Sequence, residues 1–264
     1  QYVKANFPDK ADDPVAITAF VNQLLMSTAD VVYNTNGLPY SPRKQGAGLA
    51  NLVNSAATPA FIRTYDRKTG EVMDKSKIEL GDDPTKTGTY VLKFAIVNFG
   101  STALTYDVSA IVMTEGVSET KTNQGETTVT EQGYILSGAS VVVSDCKGGS
   151  LSGSTVTVDG GKAAEITVTI TLSDEDKKYM DESFENGMYV EGFVTLTAAE
   201  GTVSLGAPYL AFYGDWTEAP IMDLDFFQTN KDELDDSIDL LEERGQIRIN
   251  KAETRRESRG NREL

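Results

Sequence analysis

The first part of the chain has the apolar spacing of a helix. Its large apolar side chains between positions 13 and 29 recur at intervals of three and four residues, namely Ile17, Phe20, Val21, Leu24 and Leu25. Asp13 is a favourable N-cap, and Pro14 suits the first helical position. We therefore predict a helix over residues 13–29. Small or apolar residues on its other faces indicate that it is buried on several sides.

A second, shorter helical pattern follows several turn residues, among them Asn36-Gly37, Pro39 and Pro42. It predicts a helix within residues 49–57, with Leu49, Leu52, Val53 and Ala56 on one face. Full burial of the five large apolar residues of the first helix would contribute about 8–15 kcal/mol. Two short helices and a linker cannot bury so much apolar surface alone. We expect them to dock incompletely or to expose an apolar patch.

From Thr89 onward the pattern changes to that of β-strands. Five strand-like runs follow, at residues 89–100, 104–113, 163–172, 188–197 and 203–214. Ser173 and Asp176 form a capping-box pattern that predicts a short helix ended by Asn186-Gly187. Residues 63–88 are read as a linker with one early strand near residues 77–80. The sequence thus predicts a mainly β fold, an antiparallel β-sandwich of the immunoglobulin or fibronectin type III kind, preceded by two helices.

The last part of the chain has a different composition. Residues 231–243 are compatible with an acidic helix, whereas the residues after Arg244 are rich in Lys and Arg and poor in large aliphatic side chains. We expect this basic tail to be disordered. The sequence therefore divides into residues 1–62, residues 63–222 with the sandwich, and the tail of residues 223–264.

Composition excludes several classes of function. The formal net charge of −16 argues against binding to nucleic acid, because that binding needs Lys and Arg to neutralise phosphates. No apolar run approaches the ~20 residues that span a bilayer. The chain has no histidine, which excludes a complete Ser-His-Asp or Cys-His catalytic group within it.

Paired carboxylates are the remaining candidates for acid–base or calcium chemistry, namely Asp12/Asp13, Asp82/Asp83, Asp223/Asp225 and Asp235/Asp236. None has the spacing of a twelve-residue calcium loop, and we interpret each pair as solvated surface. Gly46-Ala47-Gly48 lacks both the preceding strand and the glycine spacing of a phosphate-binding loop. The sequence therefore predicts no catalytic, cofactor-binding or metal-binding residue.

Cys146 and Trp216 are each the single residue of their type. We expect Cys146 to be a small, half-buried residue at a strand end, because no base is present to activate its thiol. Trp216 follows Asp215, and an aromatic ring beside an acid can form a platform for a carbohydrate. The favoured interpretation is that Trp216 plugs one end of the sandwich.

One segment resembles a known protein family. Residues 24–57, "LLMSTADVVYNTNGLPYSPRKQGAGLANLVNSAA", are similar to the closing segment of subtilisin-family catalytic domains, particularly the large cell-envelope serine proteases of Gram-positive bacteria. The matching residues are Leu25 to Ala29, Ser41 to Arg43 and Gln45 to Gly48. The runs "NGMYVEGFVTLT" and "GAPYLAFYGDW" resemble paired end strands of the fibronectin type III-like domain that follows in those enzymes.

The resemblance implies a C-terminal part of an extracellular or cell-wall serine endopeptidase, acting on protein or peptide substrates. In the family, the catalytic Asp, His and Ser and the oxyanion-hole Asn would all precede Gln1, so none is assigned to a position of this chain. The sandwich would brace the missing catalytic domain and offer an exosite for substrate. The chain by itself is expected to be inactive. The alternative is a non-catalytic surface binding module or adhesin.

The Ser41–Gly48 segment, "SPRKQGAG", is expected to have a structural task. Pro42 restrains the backbone, Arg43 and Lys44 supply hydrogen-bond donors, and the two glycines allow close passage of the chain.

Overall fold

The computed structural model describes residues 2–7, 12–121, 127–199 and 201–217, with side chains left out at residue 2 and within 117–131. These residues lie in the first of two compact units, Gln1–Glu218. The predicted acidic helix and basic tail lie outside the described residues. The division at residues 62/63 and 222/223 stays a prediction. No helix among the described residues is long and apolar enough to cross a membrane.

Four helical segments precede the sandwich in the described part of the chain. They are α1 (Tyr2–Asn6), α2 (Pro14–Ser27), α3 (Pro42–Gln45) and α4 (Leu52–Ala57). The helix predicted over residues 13–29 is confirmed as α2. The Asp13 carboxylate accepts hydrogen bonds from Val15 N at 2.9 Å and Ala16 N at 3.1 Å, which confirms it as the N-cap.

Two helices were expected before the sandwich, and the described residues contain four helical segments there. The single turn of α3 has no apolar period to reveal it; it forms because Ser41 Oγ accepts from Arg43 N at 3.1 Å and Pro42 occupies the first position. Helix α4 begins after Asn51, whose side chain accepts from Asn54 N, so Leu49 lies outside the predicted second helix.

Two sheets form the sandwich. The four-stranded sheet has the order β1 (Ala60–Thr64), β3 (Thr89–Asn98), β9 (Ala163–Thr171), β6 (Ser140–Lys147), with antiparallel neighbours throughout. The seven-stranded sheet has the order β2 (Ile78–Asp83), β11 (Leu205–Tyr213), β10 (Met188–Ala198), β4 (Leu104–Lys121), β8 (Thr155–Val158), β7 (Ser150–Ser152), and β5 (Thr127–Ile135) also pairs with β4.

The predicted antiparallel β-sandwich is confirmed, and one pair of its strands is parallel. Strands β2 and β11 pair in parallel, from Ile78 opposite Tyr209 to Asp83 opposite Tyr213. Apolar spacing defines which residues form a strand, but it carries no information on the direction of the neighbouring strand. A parallel pair cannot be joined by a two-residue hairpin, and β2 and β11 are far apart in the sequence.

The five predicted runs correspond to β3, β4, β9, β10 and β11, and the early strand expected near residues 77–80 is β2. Strand β1 contains the first residues of the predicted linker. Strands β5 to β8 were not predicted as strands, although Cys146 lies half-buried in β6 as expected. Strand β7 has only three residues, and β6 has three consecutive valines without alternation, but β8, Thr-Val-Thr-Val, does alternate and was missed because it is only four residues long.

The core lies between the inner faces of the two sheets. On β3 and β9 every second residue is buried, which is the alternation expected of strands with one face on a core. The inner residues of these two strands are Tyr90, Leu92, Phe94, Ile96, Ala164, Ile166, Val168 and Ile170. Helix α5 (Asp174–Ser183) adds Met180 to this core, and the predicted capping box of Ser173 and Asp176 is confirmed.

Helix α2 packs outside the sandwich, against β1. Phe20 and Leu24 are buried together with Phe61, whereas Val21 is half-buried and Val15 is 77% exposed. The expected exposed apolar patch is confirmed on and beside α4, where Leu49, Leu52 and Val53 are 66%, 74% and 77% exposed. The N-terminal segment thus has a covered side and an uncovered apolar side.

Candidate functional site

The Ser41–Gly48 segment forms a tight turn held by its own side chains. Gln45 Oε1 accepts from Val32 N at 2.8 Å, and its Nε2 donates to Tyr40 O at 2.6 Å and Val32 O at 3.2 Å. Gly48 has φ +120°, and a Cβ there would lie 2.3 Å from Asp30 O. These contacts fix the backbone conformation of the turn, and with it the position of α3 beside the sandwich.

Arg43 projects from this turn onto the outer face of the seven-stranded sheet. Its Nε donates to Glu191 Oε2 at 2.9 Å and its Nη2 to Glu191 Oε1 at 3.1 Å, a bidentate contact. Nη2 also donates to Glu115 Oε2, and Lys44 Nζ lies 3.5 Å from Glu115 Oε1. The guanidinium carbon lies 4.5 Å from the centre of the Tyr189 ring. We call Arg43, Lys44, Glu115 and Glu191 the Arg43 cluster.

The Arg43 cluster is electrically balanced, with two buried carboxylates, whereas the side chains of Arg43 and Lys44 are 30% and 46% exposed. Glu191 is 0% exposed and Glu115 is 7% exposed, so each carboxylate depends on a protein cation instead of water. Burial opposes the charged form of Arg43, but hydrogen bonds and attraction from Glu191 and then Glu115 outweigh it and raise the pKa of Arg43. Arg43 therefore stays charged at every pH at which the fold exists.

The backbone beside Glu191 is also constrained. A Cβ at Gly192 would lie 1.9 Å from Ile111 O, and Tyr209 donates its hydroxyl hydrogen to the same carbonyl at 2.9 Å. Burial, together with the negative charge of Glu191, raises the pKa of Tyr209 well above its usual value. The neighbouring strands are thus closely fitted where Arg43 docks.

The sequence did not single out Glu115 or Glu191. The one available signal was a lone carboxylate in an apolar strand, "MYVEGFV", because a charge at such a position needs a partner. The partner itself lies 148 positions away, beyond the reach of any periodic pattern. Arg43 and Lys44 were expected to supply hydrogen-bond donors, and both contact carboxylates of the sandwich.

Among the described residues, the two carboxylate pairs Asp12/Asp13 and Asp82/Asp83 form no cluster of potential metal ligands. Asp13 caps α2, and Asp83 accepts from Thr87 N at 2.9 Å and Gly88 N at 2.7 Å in a turn. Asp223/Asp225 and Asp235/Asp236 lie outside the described residues. No group of three or more potential metal ligands occurs within the described part of the chain. The prediction that no catalytic, cofactor or metal residue is present stays a prediction.

Trp216 does not plug the end of the sandwich, so the favoured interpretation was wrong. Its side chain is 55% exposed and packs only partly, against Phe212 at a centroid distance of 5.1 Å and Tyr189 at 5.5 Å. Phe212 is buried, and Gly214, with φ +133°, lies between it and Trp216 in the chain.

A groove of about 870 Å³ lies on the outer face of the four-stranded sheet. Its walls come from the loop at Tyr65–Gly70, the start of β2, and outward residues of β3, β9 and β6. The charged residues among them are of both signs, namely Asp66, Arg67, Glu79, Lys93, Asp145, Lys147 and Glu165. Such a lining suits contact with a polypeptide surface better than enclosure of a small apolar ligand.

Comparison with solved structures gives weak likenesses. The chain is similar to a PapD-like domain of human CEP192, with a TM-score of 0.33 and 12% identity over 59% of this chain and 85% of that one. A family 123 glycoside hydrolase from Clostridium perfringens gives a TM-score of 0.31 and 10% identity, over 53% of this chain and 23% of that one. Likenesses at this level carry no functional argument.

Comparison with characterised proteins is more informative. The chain is 28% identical over 213 residues to the PI-type proteinase of Lactococcus lactis subsp. cremoris, covering 79% of this chain and 10% of that protein. The PII-type proteinase of Lacticaseibacillus paracasei gives the same identity and coverage. The chain therefore spans about a tenth of the length of these relatives.

A protein-family model described as Fn3-like domain matches residues 78–210, from the start of β2 into β11. The matched region takes in both sheets of the sandwich, including Glu115 and Glu191. It covers half of the 264 residues. The chain therefore belongs to the Fn3-like domain family.

Proposed function

We propose that this chain is the junction region of an extracellular or cell-wall subtilisin-like serine endopeptidase. Residues 1–62 form the end of the peptidase domain, and the Fn3-like sandwich braces that domain. The groove on the four-stranded sheet serves as an exosite for protein substrates. The observation that carries the proposal is the Arg43 cluster, which ties the segment similar to a peptidase domain to buried carboxylates of the sandwich.

The extent of the similarity supports this proposal. Residues 78–264 make up about 71% of the chain, whereas the alignment with the PI-type proteinase covers 79%. That alignment must therefore include residues before Ile78. The similarity to the proteinase therefore extends beyond the region matched by the Fn3-like family model.

The cluster is suited to bracing because of where its charges lie. A surface ion pair holds two parts of a protein together weakly, by about 0–1 kcal/mol. Glu191 is fully buried, so separating the turn from the sandwich would leave an uncompensated charge on β10. The turn and the sheet therefore move as one body, and a peptidase domain attached to the turn inherits that orientation.

The exposed apolar side chains on and beside α4 suit a contact with a peptidase domain. Leu49, Leu52 and Val53 are each at least 66% exposed and lie within five positions of one another. Burying a large aliphatic side chain contributes about 1.5–3 kcal/mol, so this patch gains from a covering domain. It follows directly on the turn that Arg43 anchors, which places the neighbour beside the sandwich.

Labelling of the active-site serine tests the proposal. The chain has no histidine, so a fluorophosphonate probe is expected to leave the isolated 264-residue chain unlabelled. The product of the complete reading frame that encodes this chain is expected to be labelled on one serine and to hydrolyse casein. An unlabelled, inactive full product would refute the proposal and favour the non-catalytic binding module.

A matched pair of variants tests bracing in the full product. Arg43→Ala is expected to lower casein hydrolysis and to make the sandwich separable by limited proteolysis. Lys77→Ala is the control, because it removes a cation from the exposed pair with Glu79. Equal behaviour of the two variants would contradict bracing while leaving the labelling result intact.

A further inference from the structure

The strongest feature outside the Arg43 cluster is an exposed aromatic group at one end of the seven-stranded sheet. Trp216 meets Phe212 edge to face, at 83°, and Tyr189 at 45°. These two rings hold the indole in place while 55% of its surface stays exposed. A side chain that is already ordered loses little conformational freedom when a ligand covers it. We call Trp216, Tyr189, Asp82 and Asp215 the Trp216 patch.

The backbone places Trp216 through two separate strands. Gly214 N donates to Asp83 O at 3.1 Å, which forms an isolated antiparallel bridge just beyond the end of β11. Trp216 N lies 3.4 Å from Asp82 Oδ2, so the Asp82 carboxylate is beside the indole-bearing residue. The patch is therefore built by the sheet and does not depend on one loop.

The charges of the patch are negative and uncompensated. Asp82 is exposed, and neither it nor Asp215 forms an ion pair with a Lys or Arg among the described residues. Asp215 accepts hydrogen bonds from the Thr217 hydroxyl and backbone N–H, which lower the pKa of its carboxyl and keep it ionised. Arg43, whose guanidinium lies over the Tyr189 ring, is already bonded to Glu191 and Glu115.

We propose that the Trp216 patch binds a lysine or arginine side chain of an extended protein segment. The cation lies over the exposed indole and is neutralised by the Asp82 and Asp215 carboxylates. Trp is the best aromatic partner for such a cation, and Trp and Arg are the residues that contribute most at protein interfaces. A neutral sugar would use the indole but would leave both carboxylate charges uncompensated. That this protein segment is a peptidase substrate rests on the proposed function; the binding of the cation does not.

Titration of the 264-residue chain with two peptides tests the site. One probe is a nine-residue Gly-Ser peptide with two arginines, and the other carries glutamine at both positions. Because Trp216 is the single tryptophan, its emission reports occupancy of the patch directly. We expect the arginine peptide to shift the emission and to bind at least about fivefold more tightly than the glutamine peptide, with the difference falling as salt rises.

Charge variants separate the patch from general attraction to an acidic protein. Asp82→Asn is expected to weaken binding of the arginine peptide about fivefold, measured by calorimetry and by Trp216 emission. Asp159→Asn removes one exposed carboxylate from a distant turn and is expected to leave binding unchanged. Trp216→Leu is expected to abolish the preference for arginine over glutamine. Should Trp216→Leu fail to fold by circular dichroism, the Asp82 and Asp159 pair decides alone.

Three results would overturn the inference. They are equal binding of the two peptides, equal weakening by Asp82→Asn and Asp159→Asn, and Trp216-dependent binding of maltohexaose without binding of the arginine peptide. The last result would show a carbohydrate platform. The titration needs no peptidase activity, so its failure leaves the serine-labelling experiment unaffected, and failure of that experiment leaves cation binding intact.

Discussion

Arg43 and Glu191 lie 148 positions apart, and the Arg43 Nε is 2.9 Å from the Glu191 Oε2 in the folded chain. Glu191 is fully buried on β10, whereas Arg43 belongs to a one-turn helix outside the sandwich. This contact is the main electrostatic tie between the N-terminal segment and the Fn3-like domain. The contact contributes strongly to stability because Glu191 is buried, so that its carboxylate is bonded to the Arg43 guanidinium and not to water.

Removal of Arg43 is expected to destabilise the chain strongly. Arg43→Ala should lower the free energy of unfolding by about 3 kcal/mol, since Glu191 remains buried without its counter-charge. Lys77→Ala, in an exposed pair, should cost less than about 1 kcal/mol. Urea unfolding followed by circular dichroism measures both. Adding Glu191→Gln to Arg43→Ala should recover part of the loss, and no recovery would contradict the burial argument.

The two glycines of the Ser41–Gly48 turn are expected to differ in tolerance. Gly48→Ala should destabilise by about 2–3 kcal/mol, because its Cβ would lie 2.3 Å from Asp30 O at φ +120°. Gly46 has φ +63° and ψ −128° with no atom within 4 Å of a Cβ, so Gly46→Ala should cost only its backbone strain, about 1–2 kcal/mol. Thermal unfolding compares the two variants. A Gly46→Ala variant as damaged as Gly48→Ala would show that strain alone, without the close approach, explains both.

Two buried tyrosines offer a comparison of hydrogen bonding. Tyr106 is 0% exposed, and its hydroxyl has no partner among the described residues, whereas the Tyr209 hydroxyl donates to Ile111 O. Tyr106→Phe is therefore expected to leave stability unchanged or to raise it by about 1 kcal/mol. Tyr209→Phe should lower it by about 1 kcal/mol, because the hydrogen bond is lost. Chemical denaturation measures each change; a large loss for Tyr106→Phe would reveal an unrecognised partner.

Stability is expected to fall at alkaline pH. Burial raises the pKa of Tyr106 to about 12, and burial together with the charge of Asp181 raises the pKa of Tyr213 to about 12. In the unfolded chain these phenols titrate near 10, so unfolding releases protons above that pH. The stability these groups contribute is complete below pH about 10 and is lost as the pH rises toward 12.

Absorbance at 295 nm checks this alkaline loss. Ionisation of the buried tyrosines is expected to coincide with unfolding monitored by far-ultraviolet circular dichroism. The Tyr106→Phe variant should lose less stability between pH 10 and 12, because one titrating group is gone. Independent ionisation of all tyrosines near pH 10 in the folded chain would contradict their burial.

Much of the fold was readable from local patterns. Asp13 and Pro14 marked the start of α2, the Ser173 and Asp176 pair marked α5, and apolar alternation marked β3 and β9. These features depend on residues within a few positions of one another, so their physics is contained in the sequence. Strands β6 and β7 were missed because the valines of β6 are consecutive and do not alternate, and because β7 has only three residues.

Only the cations of the candidate site could be predicted from the sequence. The sequence by itself determined that Arg43 and Lys44 supply donors, that no histidine-dependent triad exists in the chain, and that the N-terminal helices carry more apolar surface than they can bury. Tertiary structure alone decided that Glu115 and Glu191 receive those donors, that β2 runs parallel to β11, and that Trp216 stays exposed beside Asp82. The physical reason is that strand pairing and charge burial join positions far apart in the chain, and those partners become neighbours only when the sheets assemble.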